Sequence, residues 1–366
     1  MVNRLVWQNV LHRPVRTLLS VVAVGVEITL ILTVVGLSKG MLEESARRTR
    51  GVGAHILIRP STAQAAMGMS SADLSEKLVG YFASLPEVDK VAGTTVQTQL
   101  TASLRTITGV DLESFSRMSG GLKYLSGGPF EQPFDAVVDE VYARQNKLRV
   151  GQPLELWNRT FRVTGIVEPG KLSRVFVPIA TMQDLMGWKG KLSQIYLQLR
   201  RPAETDGVVA DLQRRHPGLN IYSVEEFTSL ISLNNLDSLK IFIRVVVGLA
   251  VVIGFLVVML SMYTAILERT REIGILKSLG ASQLYIVGIV IRETLLLALL
   301  GIGLGILLSF GVKAAIERTF PILVVSLDRE WWGWAGLIAV GGALLGALYP
   351  AARAARQDPI AALAYE

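Results

Sequence analysis

Residues 245–265 read VVVGLAVVIGFLVVMLSMYTA, an apolar run without one charged side chain. About 20 such residues, rising ~1.5 Å each in a helix, span the ~30 Å hydrocarbon core of a bilayer. A core helix of a soluble protein seldom runs so long and so clean, so the stretch predicts a transmembrane helix. Three more runs share its character: residues 17–38, 294–312 and 331–352. Of the four, only the first holds a charge, Glu27. One run lies near the start and three crowd the end, with residues 39–240 of ordinary mixed composition between them. That division predicts a four-helix membrane domain carrying one large domain outside the bilayer.

The run at 17–38 is too long for the apolar part of a cleaved leader, and no small-x-small cleavage site followed by polar sequence ends it. It reads as a retained anchor whose helix continues through 39–50 as a stalk. The chain then divides into a short N-terminal segment (1–16), span one (17–38), the outer domain with its stalks (39–240) and span two (241–267). A connector (268–282), span three (283–312), a short outer loop (313–330), span four (331–352) and a tail (353–366) complete it. With the N-terminus inside, the inner flanks carry Arg4, Arg13, Arg16, Arg269, Arg271, Lys277, Arg353 and Arg356. The outer flanks carry Lys39, Arg47, Arg48, Arg50, Lys240, Lys313, Arg318 and Arg329. The two sides tie, so the positive-inside rule leaves orientation open. The absence of cysteine is neutral on compartment. A net charge of +7 suits a membrane surface; no basic stripe is interleaved with aromatics, so no nucleic-acid partner is expected.

Residues 55–227 have the texture of a mixed α/β domain. Strand-like runs occur at 55–58, 91–108, 136–138, 154–167, 175–177, 195–199 and 220–224. Helical patterns occur at 72–85, 140–147, 181–185 and 204–216. The Gly/Pro-rich stretch 120–133 reads as a loop or lobe boundary. This suggests an outer lobe at about 109–190 and an inner lobe assembled from the flanking segments. Gly165-Ile166-Val167-Glu168-Pro169-Gly170-Lys171 imitates a phosphate-binding loop, but Leu172 stands where a hydroxyl should hold Mg²⁺. Pro169 removes a backbone N–H and Glu168 would repel phosphate. His12, His55 and His216 have no metal-ligand spacing, and no Gly-x-Ser-x-Gly elbow occurs. No enzymatic activity, metal or cofactor is therefore expected in these residues.

The connector is Glu268-Arg269-Thr270-Arg271-Glu272-Ile273-Gly274-Ile275-Leu276-Lys277-Ser278-Leu279-Gly280-Ala281-Ser282. A buried charge in hydrocarbon costs at least ~2.5–3.5 kcal/mol, so this segment lies outside the core. Ile273, Ile275, Leu276 and Leu279 make it too apolar for a solvated loop. A short helix on the membrane surface fits, either docked into another protein or facing lipid alone.

The same fifteen residues closely resemble the signature of the MacB/FtsX-type ABC transporter permeases. The ending Tyr349-Pro350-Ala351-Ala352-Arg353-Ala354-Ala355-Arg356-Gln357-Asp358-Pro359-Ile360-Ala361-Ala362-Leu363 is similar to that family's C-terminus. Asn9, Pro14, Arg16, Thr17 and Leu18 match its start, and residues 136–151 and 154–178 look like its outer domain. The resemblance implies a type VII ABC exporter-like fold with four spans and a two-lobed α/β (α+β) extracytoplasmic domain. It places the N-terminus, connector and C-terminus in the cytoplasm of a bacterium, with the fold in the inner membrane. It implies a dimer, with itself or a paralogue, beside two ABC ATPase subunits on separate polypeptides that hold ATP and Mg²⁺. Membrane lipid and a membrane-fusion protein or other periplasmic partner complete the expected company. The connector would be the coupling helix. Glu268, Arg269, Glu272 and Lys277 are expected to make polar contacts to the ATPase and Leu276, Leu279 and Gly280 the apolar fit, with Arg271 and Ile273 also among the coupling residues.

In or beside the spans the ionisable residues are Glu27, Arg244, Arg292 and Glu293. Glu293 reads either as a packing partner of Arg292 or as a transport residue. Gly301–Gly305 and Gly342–Gly346 have the spacing of close helix contacts. Tight packing without a polar lining argues against a water-filled path, which suits the activity that the resemblance implies: mechanotransmission, with export of an amphipathic or lipid-linked substrate held outside. The alternatives are an FtsX-like subunit that switches on a cell-wall hydrolase, and a membrane-tethered scaffold or sensor without an ATPase.

Overall fold

The computed structural model describes residues 14–61, 72–100, 104–232 and 236–358. Arg4, Asn9, His12, Arg13 and the 359–363 part of the C-terminal ending lie outside them. In chain order the elements begin with α1 (Pro14–Arg50), β1 (Ile56–Pro60), β2 (Leu74–Ser75), α2 (Lys77–Ala83), β3 (Val88–Leu100) and β4 (Leu104–Val110). There follow α3 (Leu112–Ser119), β5 (Tyr124–Gly127), β6 (Asp135–Asp139), α4 (Glu140–Asn146), β7 (Pro153–Leu156) and β8 (Arg159–Val167). Next come β9 (Val175–Pro178), α5 (Ile179–Met186), β10 (Lys191–Leu192), β11 (Gln194–Leu199), α6 (Thr205–Arg215), β12 (Leu219–Ser223) and α7 (Val224–Leu230). The last are α8 (Asp237–Glu268), α9 (Thr270–Ser278), α10 (Gln283–Thr319) and α11 (Arg329–Arg356). Two compact units result: residues 41–236 with 320–324, and the remainder.

The first unit is built on one ten-stranded sheet in the order β12-β1-β11-β3-β4-β9-β6-β8-β5, with β7 paired to β8. Most pairs are antiparallel; β4–β9 and β6–β8 are parallel. Alternate side chains point to opposite faces of a strand. On one face Leu57, Ala92, Val110, Phe115, Val137, Phe176 and Tyr196 form a single apolar layer. On the other face there are two. Ile56, Ile58, Phe82, Leu197 and Leu212 form one, drawn from the ends of the domain's sequence. Ile107, Val138, Phe161, Val175 and Met182 form the second, drawn from its middle. The two lobes therefore share one sheet and are separate only on one of its faces.

Four stretches differ from the sequence expectation. The helical pattern at 72–85 opens as strand β2, paired with β10, and is helical only over Lys77–Ala83. The strand-like run at 91–108 is a hairpin in which Leu100 pairs with Leu104. The run at 154–167 is also a hairpin, turning at Trp157 and Asn158, both with positive φ. Two such residues make a primed turn, whose twist matches that of paired strands. Within 120–133, β5 adds an edge strand against β8. The phosphate-loop imitation runs from β8 through a turn into β9 rather than into a helix. Lys171 Nζ donates to the carbonyls of Ser119, at 2.6 Å, and Gly121, which flank the C-terminus of α3. Burial lowers its pKa, against the pull of Glu168.

A buried ion cluster closes this unit. Asp139 caps α4 by accepting from Tyr142 N at 2.6 Å, and accepts from Arg174 Nη1 at 3.2 Å. Arg174 Nη2 also donates to Ile322 O at 3.4 Å. Desolvation pushes the Asp139 carboxyl above its ordinary range, although Arg174 and Arg48 pull it down. Leu172 N donates to Arg48 O at 2.8 Å, tying the end of α1 to the turn before β9.

The second unit contains four helices long and apolar enough to cross a membrane: the apolar part of α1, with α8, α10 and α11. Between membrane helices, apolar burial gives little preference over lipid, so close packing and polar links must hold the bundle. A Cβ added at Gly301 would lie 2.6 Å from Val24 Cβ, and one at Gly305 2.6 Å from both Gly25 O and Ile28 Cβ. These two glycines let α10 touch α1. At Gly346 the same atom would lie 2.7 Å from Phe255 O, so this glycine lets α11 touch α8. Gly342 differs: its nearest neighbour, Val251, would be 3.5 Å away, an ordinary contact. The hydroxyls of Ser20 and Ser261 meet at 2.5 Å between α1 and α8, and Thr29 Oγ1 lies 2.7 Å from Gly25 O of its own helix and 3.1 Å from Gly305 O of α10. Glu27 is buried, its carboxylate lying directly over Gly254 of α8. Arg244 is exposed.

Two measurements follow, both by thermal unfolding of the full chain in detergent. Gly305→Ala should destabilise by ~1–3 kcal/mol through overpacking, while Gly342→Ala should be close to neutral. Asp139→Ala, which strips the partner from a buried arginine, should cost ~3–5 kcal/mol; Asp139→Asn, which keeps the cap, should cost less.

Candidate coupling site

The connector folds as α9 between α8 and α10, and its two ends are defined by different chemistry. At the start, Arg269 leaves helical geometry (φ −113°, ψ 15°), breaking α8 from α9. Thr270 Oγ1 donates back to Ile266 O at 3.2 Å and Leu267 O at 2.9 Å, satisfying carbonyls freed by the break. At the finish, Ala281 N donates to Leu276 O and Gly280 N to Lys277 O, both at 3.0 Å. With Gly280 at φ +94°, this pair of bonds is a Schellman motif, which ends a helix through one left-handed residue. Ser282 then caps α10 through Tyr285 N at 3.2 Å.

The phase of α9 sorts the expected contact residues into two sets. Ile273 is buried, and it and Leu276 line a cavity of about 80 Å³ with Met262, Ile266, Ile286 and Val290. Glu268, Arg271, Glu272 and Gly280 are exposed. Leu279 is 80% exposed and Ile275 44% exposed, four residues apart on one outward stripe. Ile275 was absent from the expected apolar set, which held Leu276 instead. The i, i+4 relation to Leu279 and Arg271 is the signal that identifies it.

Two of the cations expected to face a partner are used inside the chain. Arg269 Nη1 lies 3.1 Å from Glu293 Oε2 of α10, with the side chains 12% and 4% exposed. Lys277 Nζ donates to Ala355 O at 2.9 Å and to Gln357 O, at the end of α11. Cations are favoured at a helix C-terminus, where carbonyls lack intrahelical partners. Glu293 thus pairs with Arg269, whereas its sequence neighbour Arg292 is exposed; consecutive helical residues point ~100° apart. Arg353 Nη1 donates to the Tyr263 hydroxyl at 2.7 Å, linking α11 to α8.

The chain matches the MacB-like periplasmic core domain over residues 17–215 and the FtsX-like permease C-terminal region over residues 244–359. It belongs to the MacB/FtsX-type ABC transporter permeases. The macrolide export ATP-binding/permease protein MacB of Escherichia coli is 25% identical over 388 residues, covering 97% of this chain and 59% of that protein. MacB of Wolinella succinogenes is 33% identical over 171 residues, covering 46% of this chain and 26% of that one. The chain therefore spans less than two thirds of the length of these relatives. The crystal structure of the periplasmic region of MacB from Actinobacillus actinomycetemcomitans superposes with a TM-score of 0.37 at 14% identity, covering 50% of this chain and 94% of that one. Family membership makes this a multi-pass membrane protein with its α/β domain in the periplasm, which resolves the orientation that charge counting left tied. The connector side of the spans is then cytoplasmic.

Replacing Gly280 by Val places a β-branched residue at positive φ, where it is strained by ~1–2 kcal/mol. Hydrogen exchange of the 275–281 amides should accelerate about tenfold, with the exchange of residues 41–232 unchanged.

Proposed function

We propose that this chain is the transmembrane subunit of an ABC transporter driven by nucleotide-binding subunits on separate polypeptides, which dock on α9 and supply ATP and Mg²⁺. The observation that carries this reading is the outward stripe of α9. Ile275 and Leu279 stand exposed beside Arg271 and Glu272, on a helix whose opposite side is packed against its own bundle. A solvated stripe of this kind is costly unless covered, and apolar anchors with a charged rim are how docking surfaces are built.

Nucleotide-driven movement of the docked subunits pushes on α9, and the spans carry that movement to the periplasmic domain. The bundle suits transmission better than conduction. Gly301, Gly305 and Gly346 bring helices into backbone contact. Among the described spans, the buried carboxylates are Glu27, against Gly254, and Glu293, paired with Arg269. A conducting path for a polar substrate needs several polar groups facing inward. The substrate is therefore an amphipathic or lipid-linked molecule handled by the periplasmic domain, in a dimer with a second permease protomer. Coupling of this type requires two discrete arrangements that nucleotide biases.

Affinity capture of the tagged chain from its native membranes, followed by mass spectrometry, should return an ABC ATPase subunit. Leu279→Glu and Glu272→Lys should each reduce the recovered ATPase about tenfold or more, equivalent to ~1.4 kcal/mol of docking energy, at unchanged melting temperature. Undiminished recovery with Leu279→Glu would remove α9 as the docking element.

A further inference from the structure

We propose that Arg269 is a positioning residue, not an ATPase contact: its ion pair with Glu293, acting with Lys277 on the last carbonyls of α11, fixes α9 to α10 and α11. Force applied to α9 then enters the bundle through three helices instead of bending the end of α8. The mechanical consequence rests on the reading of α9 as the docking element; the geometry of the brace does not.

Four observations carry the proposal. Arg269 is the residue at which α8 stops and α9 starts, so it occupies the one joint about which the two helices would swivel. Its side chain and that of Glu293 are both sunk in the bundle, 12% and 4% exposed. A docking subunit therefore has little of Arg269 to touch, whereas removing either charge strands the other in a poorly solvated place. The space beside the joint is not filled by packing: the cavity of about 80 Å³ lined by Met262, Ile266, Ile273, Leu276 and Val290 also borders Arg269 and Glu293. Beside that opening, the ion pair is a polar link from the joint to α10. At the far end of α9, Lys277 Nζ reaches Ala355 O and Gln357 O, and α11 is in turn held to α8 by Arg353 on the Tyr263 hydroxyl. Each end of α9 is thus tied to a different helix.

The test needs no ATPase. The full chain, reconstituted in nanodiscs, is followed by hydrogen exchange with peptide-level readout. Glu293→Gln should speed exchange of the 270–281 amides about tenfold, with the exchange of residues 41–232 as in the unaltered chain. The exchanged pair Arg269→Glu/Glu293→Arg should return the 270–281 rates most of the way. Lys277→Met should loosen the C-terminal half of α9 and the end of α11 together. Should Glu293→Gln not fold, Arg269→Lys supplies the same reading, because a point charge in place of the planar fork weakens the link while keeping the charge. Exchange in 270–281 that stays at the original rate in whichever variant is used overturns the proposal. That result leaves docking on α9 intact, whereas failure to capture an ATPase leaves the exchange measurement untouched.

Discussion

Inside a bilayer there is no water to satisfy a stray backbone group or a lone charge, and that constraint shapes every part of the membrane unit. Long helices pair their own backbones. Their association then depends on how closely they approach, which is why glycine sits where α10 crosses α1 and where α11 crosses α8. Several span hydroxyls return to carbonyls of their own helix, as Ser38, Thr294 and Ser309 do, while Ser20 meets Ser261 between helices. Near the cytoplasmic ends the same constraint puts Arg269 on Glu293 and Lys277 on the carbonyls at the end of α11.

Outside the bilayer, apolar burial takes over as the organising force. One continuous sheet serves two lobes because its strands alternate, giving one shared apolar layer and two separate ones. Where α1 joins this unit, a cluster of Arg48, Asp139 and Arg174 holds together the end of α1, the start of α4, the approach to β9 and the 320–324 segment. A charged cluster of this kind is weak as a source of net stability, but it tolerates few arrangements. Within this unit it joins the 41–50 end of α1 to the 320–324 segment.

Much was legible in the residues because the relevant signals are local. Apolar run length marked the spans, and short aliphatic runs such as Ile56, Leu57 and Ile58 marked strands, although burial of that strand on both faces emerged only in the fold. The misreadings have local causes too. Trp157 is a poor advertisement for a turn, so a hairpin looked like one long strand. Leu276 and Ile275 are equally apolar, and which of them faces outward depends on where α9 begins, which is set by the break at Arg269. Gly342 matched a small-residue spacing, yet a Cβ there would meet Val251 at ordinary contact distance.

What the sequence by itself determined is the division of the chain into a four-span membrane domain and one large α/β domain, and the place of a short amphipathic connector between spans two and three. These follow from composition over windows of several residues, where hydropathy and charge act without knowledge of distant partners. Only the tertiary structure decided how each charge is used. Glu293 was next to Arg292 in sequence but turned by a helical step to meet Arg269, 24 positions away. Lys277 found carbonyls of α11, 78 and 80 positions on. Pairing in a medium of low polarity depends on which side chains the fold brings within a few ångströms, and that distance is not written in the order of the residues.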